Sequence, residues 1–194
     1  INKYLKRVLD LIIAIPCLMI FLPLWLIISI IIKLDSSGPV LYKQRRIGED
    51  NTKFTIRKFR SMFYDAEKES GPVWAADEDP RITRVGAWLR RFRLDEIPQL
   101  INVVKGEMSI VGPRPERPFF IDKLMQEFPF YYRRHKVRPG ITGWSQIKQP
   151  YDRDIDDVRK KLKFDFYYIE NLSFSLDIKI LASTVWVMLS GKGR

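Results

Sequence analysis

From Leu11 to Ile32 the chain carries no charged side chain, and this run of 22 residues most constrains what it can fold into. At 1.5 Å per residue a helix of that length reaches about 33 Å, enough to cross a hydrocarbon core of about 30 Å. A secretory leader does not fit, because the apolar stretch is too long and no small-residue cleavage site follows it. A straight transmembrane span is the simplest reading. Two features favour a bent one. Pro16 and Pro23 lie inside the run, and each removes a backbone donor and favours a kink. Both flanks are also basic, with Lys3, Lys6 and Arg7 before the run and Lys33, Lys43, Arg45 and Arg46 after it. The positive-inside tendency would keep both flanks in the cytoplasm. A helix that enters and leaves by one leaflet meets that pattern, and from these residues alone the straight span stays open beside it. Asp10 borders the run and is costly there without a basic partner. Arg7, one helical turn earlier, is the expected one.

The remaining residues suit one domain of ordinary size. Lys and Arg number 34 against 23 Asp and Glu, a formal charge of +11 that calls for an anionic partner: nucleic acid, anionic lipid or a phosphorylated substrate. Cys17 is the only cysteine and His135 the only histidine, which excludes disulfides and Cys-based zinc sites and leaves little for a His-based triad. The sequence starts at Ile1 rather than Met, as the C-terminal part of a longer protein would. Ser36 to Pro39 reads as a turn. Residues 40–46 and 53–59 read as strands of a hairpin around Gly48-Glu49-Asp50-Asn51, with Phe54, Ile56 and Lys58 on one face. Residues 65–80 are polar and acidic, a loop or lid. Helical patterns follow at 82–92, 95–105, 116–128, 155–170 and 176–190. In the last two, Lys160, Lys161 and Lys163 interleave with Leu162, Phe164, Phe166, Tyr167 and Tyr168, and Trp186 closes an apolar stretch. That mixture suits an interfacial helix on anionic lipid, or equally a helix packed on the core. The fold class expected is α+β and helix-rich.

Two adjacent acids stand in Arg93-Leu94-Asp95-Glu96-Ile97-Pro98-Gln99-Leu100. Asp at an N-cap with Glu in the first turn is ordinary capping, Pro98 is tolerated there, and Lys105-Gly106 closes the same helix. The basic neighbours argue for chemistry. A helix N-terminus attracts phosphate and keeps a carboxylate ionised. Two carboxylates can hold Mg²⁺, which takes oxygen ligands and shares them with substrate phosphates. Arg90 and Arg93 can neutralise a diphosphate. Gly112-Pro113-Arg114-Pro115 holds an arginine between prolines, which limits the entropy lost when it binds. Val137-Arg138-Pro139-Gly140-Ile141-Thr142-Gly143-Trp144-Ser145-Gln146 again sets an arginine in stiff or permissive backbone. Each motif alone is a weak signal.

Their order is specific. Lys6-Arg7, the apolar run with Pro23, Lys58-Phe59-Arg60-Ser61-Met62, the Asp95-Glu96 segment, Lys105-Gly106-Glu107-Met108-Ser109, Gly112-Pro113-Arg114-Pro115 and Arg138-Pro139-Gly140-Ile141-Thr142-Gly143-Trp144 together resemble the bacterial sugar transferases. These are the monotopic phosphoglycosyl transferases that begin polysaccharide and glycoconjugate assembly, and the resemblance covers about residues 3–190. It implies a re-entrant membrane helix at 1–34, broken near Pro23, and a cytoplasmic catalytic domain at 35–194 with interfacial helices. Small residues such as serine often precede that proline in the family, and Leu22 stands there in this chain. The resemblance implies transfer of a sugar phosphate from a UDP-sugar to undecaprenyl phosphate with release of UMP, at the cytoplasmic face of the bacterial inner membrane. Asp95 is the implied nucleophile, forming a sugar-phosphoryl aspartate, and Glu96 its partner in holding Mg²⁺ or moving a proton. Lys58, Arg90, Arg114 and Arg138 match the family's basic positions and are candidate phosphate contacts, with Gln146 a candidate for the nucleotide or sugar. The sugar and the oligomeric state are left open. A membrane-tethered nucleic-acid binder lacks a recognisable module, and acids among the basic residues would repel its partner. A non-catalytic single-span scaffold is the other alternative.

Overall fold

The computed structural model describes residues 3–68, 71, 79–149 and 155–190. A single helix, α1 (Lys3–Asp35), contains the whole apolar run, both prolines and the basic flanks. One face of its middle is exposed, with Met19, Leu22 and Leu26 at 72%, 66% and 64%, while Ala14, Cys17, Leu18, Phe21 and Leu24 on the other face pack on the core. Its two ends are tied down as well, because they carry polar groups that the rest of the chain can satisfy. Near the start, Lys6 Nζ pairs with Asp177 Oδ2 at 2.7 Å, and Arg7 donates to the carbonyls of Val103 and, at 2.7 Å, Val104. Asp10 accepts from Ser109 Oγ and from the Ile110 amide, both at 2.9 Å. The expected Arg7–Asp10 pairing is therefore corrected. Arg7 caps the carbonyl end of another helix, where a cation is favoured, and the buried carboxylate of Asp10 is met by neutral donors. At the far end, Arg60 donates to the carbonyls of Ser37 at 2.8 Å, Ser36 at 2.7 Å and Ile32 at 3.2 Å, while Trp25 meets Phe59 edge-on at 5.2 Å.

Strands β1 (Leu41–Ile47) and β2 (Lys53–Phe59) form the expected hairpin, antiparallel, with Leu41 opposite Phe59 and Ile47 opposite Lys53. Asp50 and Asn51 make its turn at φ +49° and +61°, a region these two residue types tolerate better than most. Phe54 and Ile56 are buried, and Lys58 shares their face. Asn102, fully buried in α3 (Leu100–Lys105), ties the sheet down by donating to the Thr55 carbonyl at 2.7 Å and accepting from the Arg57 amide at 3.3 Å. Gly106, at φ +84°, ends α3 as expected. The other helices are α2 (Arg84–Arg91), α4 (Pro118–Glu127), α5 (Trp144–Lys148), α6 (Ile155–Glu170) and α7 (Phe174–Leu189). Thr83 caps α2 by accepting from the Gly86 amide, and Ser173 caps α7 by accepting from Leu176. Part of the expected loop or lid at 65–80 lies outside the described residues.

A second, parallel pair of strands was not expected: β3 (Ser109–Val111) against β4 (Gly140–Thr142). The two proline-rich motifs meet here. Gly112 donates to the Thr142 carbonyl at 2.8 Å, and Gly140 to the Pro113 carbonyl at 2.9 Å. The approach is close enough that a Cβ on Gly140 would lie 2.0 Å from the Gly112 nitrogen. These glycines are thus required for backbone contact, and the contact holds Arg114 in place.

One core joins the hairpin, α2, α3, β3, one face of α1, Tyr168 and Ile180; a smaller one gathers Ile47, Ile121, Leu124, Tyr131, Val158 and Leu162. Beside the smaller core, Arg134 is buried against Asp165 at 2.7 Å, touches the Tyr131 hydroxyl and donates to the Arg114 carbonyl at 3.0 Å. His135 follows, its Nδ1 2.6 Å from Asn51 Oδ1. Burial, with the charge of Arg134 adding to it, lowers the imidazole from 6.5 to about 4. Between those values the unfolded chain binds a proton that the folded chain refuses. The stabilisation is complete above pH 6.5 and is lost as the pH falls towards 4. Solvent screening keeps it to about 1–2 kcal/mol. Melting curves across that range should fall less steeply with acid for His135→Gln than for wild type; parallel curves would remove His135 as the cause.

Candidate active site

The adjacent acids do not begin an α-helix, which corrects the expected 95–105 element. Leu94–Gln99 is a tight 3₁₀ helix that runs into α3, and neither Arg93 nor another side chain caps it. Arg93 enters it at φ +54°, in the left-handed region, a cost of order 1 kcal/mol for a residue other than glycine. Pro98 sits within this turn without a mid-helix clash, since the preceding geometry is not α-helical. Asp95 and Glu96 are both buried, so ordinary capping at a solvated helix end does not explain them.

Their environments differ. Glu96 Oε1 receives Lys58 Nζ at 2.7 Å and Arg114 Nη2 at 2.9 Å, and Arg93 Nη1 stands 3.8 Å from Oε2. Burial alone would raise the Glu96 carboxyl, but the charges of Arg114, Lys58 and Arg93 outweigh it and hold the group well below the usual range. Asp95 makes no hydrogen bond or ion pair with the described residues, and it borders a cleft of about 970 Å³. Burial raises its carboxyl; Lys58 opposes this, Glu96 reinforces it by repulsion, and Arg90 and Arg114 oppose it. Lys58 is itself lowered by burial, against the pull of Glu96. One acid is therefore a fixed anion that gathers cations, and the other is left open to the cleft. Pairs of acids pushed apart in this way commonly divide chemical roles.

Of the other candidates, Arg90 and Gln146 line the same cleft. Arg90 Nη1 and Gln146 Oε1 are buried and have no hydrogen-bond partner among the described residues. Arg138 is not brought there. Its Nε lies 3.3 Å from Glu49 Oε2 beside the hairpin turn. The pair is half-buried and lies outside the cleft lining, so Arg138→Ala is expected to keep turnover within about twofold of wild type, measured as product release per folded enzyme; a larger loss would return Arg138 to the site.

The structure adds residues that the sequence reading passed over. Arg46 and Lys161 flank Glu116 at 3.4 and 4.0 Å along the cleft wall, and Arg117 meets Glu67 through two hydrogen bonds of 2.8 Å. Glu116 is lowered because Lys161, Arg46 and Arg134 outweigh its burial, and burial brings Arg46 down to about 10. Arg46 had been grouped with Arg45 as a membrane flank, yet strand alternation separates them: Arg45 is exposed and Arg46 half-buried.

Among the described residues no three His, Cys, Asp or Glu side chains converge as a protein-only metal cage. Asp95, open to the cleft, and Glu96 Oε2, with only the distant Arg93 beside it, still supply two carboxylate oxygens. That set fits Mg²⁺ shared with a substrate's phosphates.

A model of the family described as bacterial sugar transferase matches residues 1–191. The chain is 47% identical over 193 residues to a UDP-N-acetylgalactosamine-undecaprenyl-phosphate N-acetylgalactosaminephosphotransferase of Aeromonas hydrophila, covering 100% of this chain and 45% of the relative. It is 42% identical over 188 residues to a UDP-glucose:undecaprenyl-phosphate glucose-1-phosphate transferase of Escherichia coli (strain K12), covering 96% and 40%. With the exopolysaccharide production protein PSS of Rhizobium leguminosarum bv. phaseoli it shares 41% over 199 residues, covering 97% and 98%. The chain thus spans less than half the length of the first two relatives and nearly all of the third.

Proposed function

The chain belongs to the bacterial sugar transferase family, and from that premise we propose that it moves a sugar-1-phosphate from a UDP-sugar to undecaprenyl phosphate and releases UMP. The relatives named for this activity supply the substrate class. The observation that carries the reading is the open carboxylate of Asp95 beside Glu96, whose Oε1 is held by Lys58 and Arg114, in a cleft walled by Lys58, Arg90 and Arg114.

An oxygen of Asp95 attacks the sugar-linked phosphorus; the bond from that phosphorus to the bridging oxygen breaks, and UMP leaves with the electron pair. An oxygen of undecaprenyl phosphate then attacks the same phosphorus, and the bond to Asp95 breaks, restoring the carboxylate. Two displacements let a water-soluble donor and a lipid acceptor use one site in turn. Arg90 has an unpartnered donor to offer the phosphates, and the cations on Glu96 are already held in position, so they reorganise little as charge develops. Mg²⁺, held by Asp95 and Glu96, would neutralise phosphate charge and stabilise the leaving oxygen.

The same reading takes α1 as re-entrant and the site as lying on the cytoplasmic face of the inner membrane, where it would begin exopolysaccharide, O-antigen or glycoconjugate synthesis. Support comes from the ties at both ends of α1. A straight span would carry Lys6 and Ser36 to opposite sides of a bilayer, yet the flanks on both sides of the apolar middle bond to the same body. Basic flanks on both sides and the exposed Phe174, Ile178 and Trp186 of α7 agree with a body resting at an interface.

The test is UMP release from the purified chain in phospholipid nanodiscs with Mg²⁺, undecaprenyl phosphate and each of UDP-glucose, UDP-galactose and their N-acetylated counterparts. Release with at least one donor, dependent on acceptor for multiple turnovers, is expected. Silence with every donor from folded protein would count against the reading.

A further inference from the structure

The cleft holds hydrogen-bonding capacity that its charges do not use. Ser145 is 0% exposed, and its Oγ has no partner among the described residues. Gln146, next in α5, is 7% exposed; its Nε2 donates to the Ile141 carbonyl at 3.1 Å, and its Oε1 is left without a partner. Both side chains line the cleft. Buried polar atoms are nearly always paired, and leaving one unpaired is costly. Two consecutive unpaired groups at one cleft wall fit a site whose partner is a ligand.

Their chemistry limits that ligand. With one amide hydrogen donated to Ile141, the atom that Gln146 leaves unpaired is its acceptor Oε1, while the Ser145 hydroxyl can turn to donate or accept. Phosphate oxygens would face Oε1 as acceptor against acceptor. An uncharged group with an N–H or O–H beside an oxygen satisfies both. The phosphate-binding candidates also come from other elements: Arg90 lies on α2, which packs on α1, whereas Ser145 and Gln146 lie on α5, which packs on α6 and α7.

We propose that Ser145 and Gln146 form a neutral subsite that reads the uncharged part of the donor substrate through one hydrogen bond to each side chain. The inference rests on the function proposed above. Uracil, with N3–H between two carbonyls, and the sugar's hydroxyl or amide groups share this chemistry, and binding measurements separate them.

Ser145→Ala is the informative variant. Its Oγ has no partner to lose, so the variant should melt at or above the wild-type temperature, whereas a structural role for the hydroxyl would lower it. In an Asp95→Asn parent, calorimetric titrations with UMP, with the UDP-sugar that supports UMP release in wild type, and with inorganic pyrophosphate should show a selective loss of roughly three- to tenfold for Ser145→Ala. Gln146→Met should lose a similar factor and guards against a water replacing the serine hydroxyl. Weaker binding of both UMP and UDP-sugar, with pyrophosphate unchanged, identifies uracil as the group read; loss for UDP-sugar alone identifies the sugar. No loss in either variant, or equal loss for pyrophosphate, overturns the subsite. A parent that binds none of the nucleotides overturns the donor reading itself.

Discussion

Under the proposed function, Asp95→Asn is expected to reduce UMP release by at least roughly a thousandfold while leaving the protein folded, because the amide could not displace UMP from phosphorus. The structure separates this variant from an ordinary core lesion. Asp95 has no ion pair among the described residues, and burial already disfavours its charged form, so a neutral side chain of the same shape costs the fold little. An unchanged or slightly raised melting temperature should accompany the lost turnover. Glu96→Gln is the contrasting case. It withdraws the anion from Lys58 and Arg114, two cations with part-buried contacts, so activity and stability should both fall. Trapping of radiolabelled sugar phosphate on wild type without acceptor, and its absence from Asp95→Asn, would complete the argument. Turnover by Asp95→Asn above about a tenth of wild type would sink the nucleophile assignment.

Gly140→Ala should be strongly destabilising, at about 3 kcal/mol or more. The added Cβ would lie 2.0 Å from the Gly112 nitrogen and 2.5 Å from the Thr142 carbonyl oxygen, both backbone atoms. No rotamer change relieves such contacts, so the β3–β4 pair must separate. Gly71→Ala is a useful comparison, since a Cβ there meets nothing within 4 Å among the described residues and its φ of +64° is what resists substitution. Denaturant midpoints of the two variants should therefore differ clearly. Separating β3 from β4 also releases the segment carrying Arg114, so residual activity in Gly140→Ala should fall further than the folded fraction. A midpoint within 1 kcal/mol of wild type would show that the strands can part without cost.

Elements with local causes were legible in the sequence. The hairpin followed from alternation around Gly48–Asn51, and α6 from an apolar period that stands out at residues 155–170. The long apolar helix was legible for the same reason, though not what its ends do. Asp10 seemed to need the nearest cation, yet its donors, Ser109 and Ile110, come from β3 across the fold. The parallel pair was invisible because three-residue strands carry almost no periodic signal, and their partnership depends on chain crossing between distant motifs. Asp95 and Glu96 were recognisable as acids among arginines. That one would gather two cations on a single oxygen and the other be left open depends on a left-handed Arg93 and a 3₁₀ helix that Asp-Glu spacing does not specify. Arg46, Glu116 and Lys161 come from β1, the segment after Arg114, and α6, and nothing in any one segment announces their meeting.

The ties at both ends of α1 have a kinetic consequence. A body lashed at two points to one apolar helix has little freedom to rise from a lipid surface or to roll upon it. Its catalytic mouth would then keep a set height and heading relative to the lipid headgroups. In the proposed reaction a prenyl acceptor confined to the same sheet would need only to wander laterally to arrive with its phosphate at that level, and the encounter would be a search over a plane rather than through a volume. Loosening either tether, at Asp177 or at Arg60, should slow capture of the lipid more than capture of the nucleotide sugar.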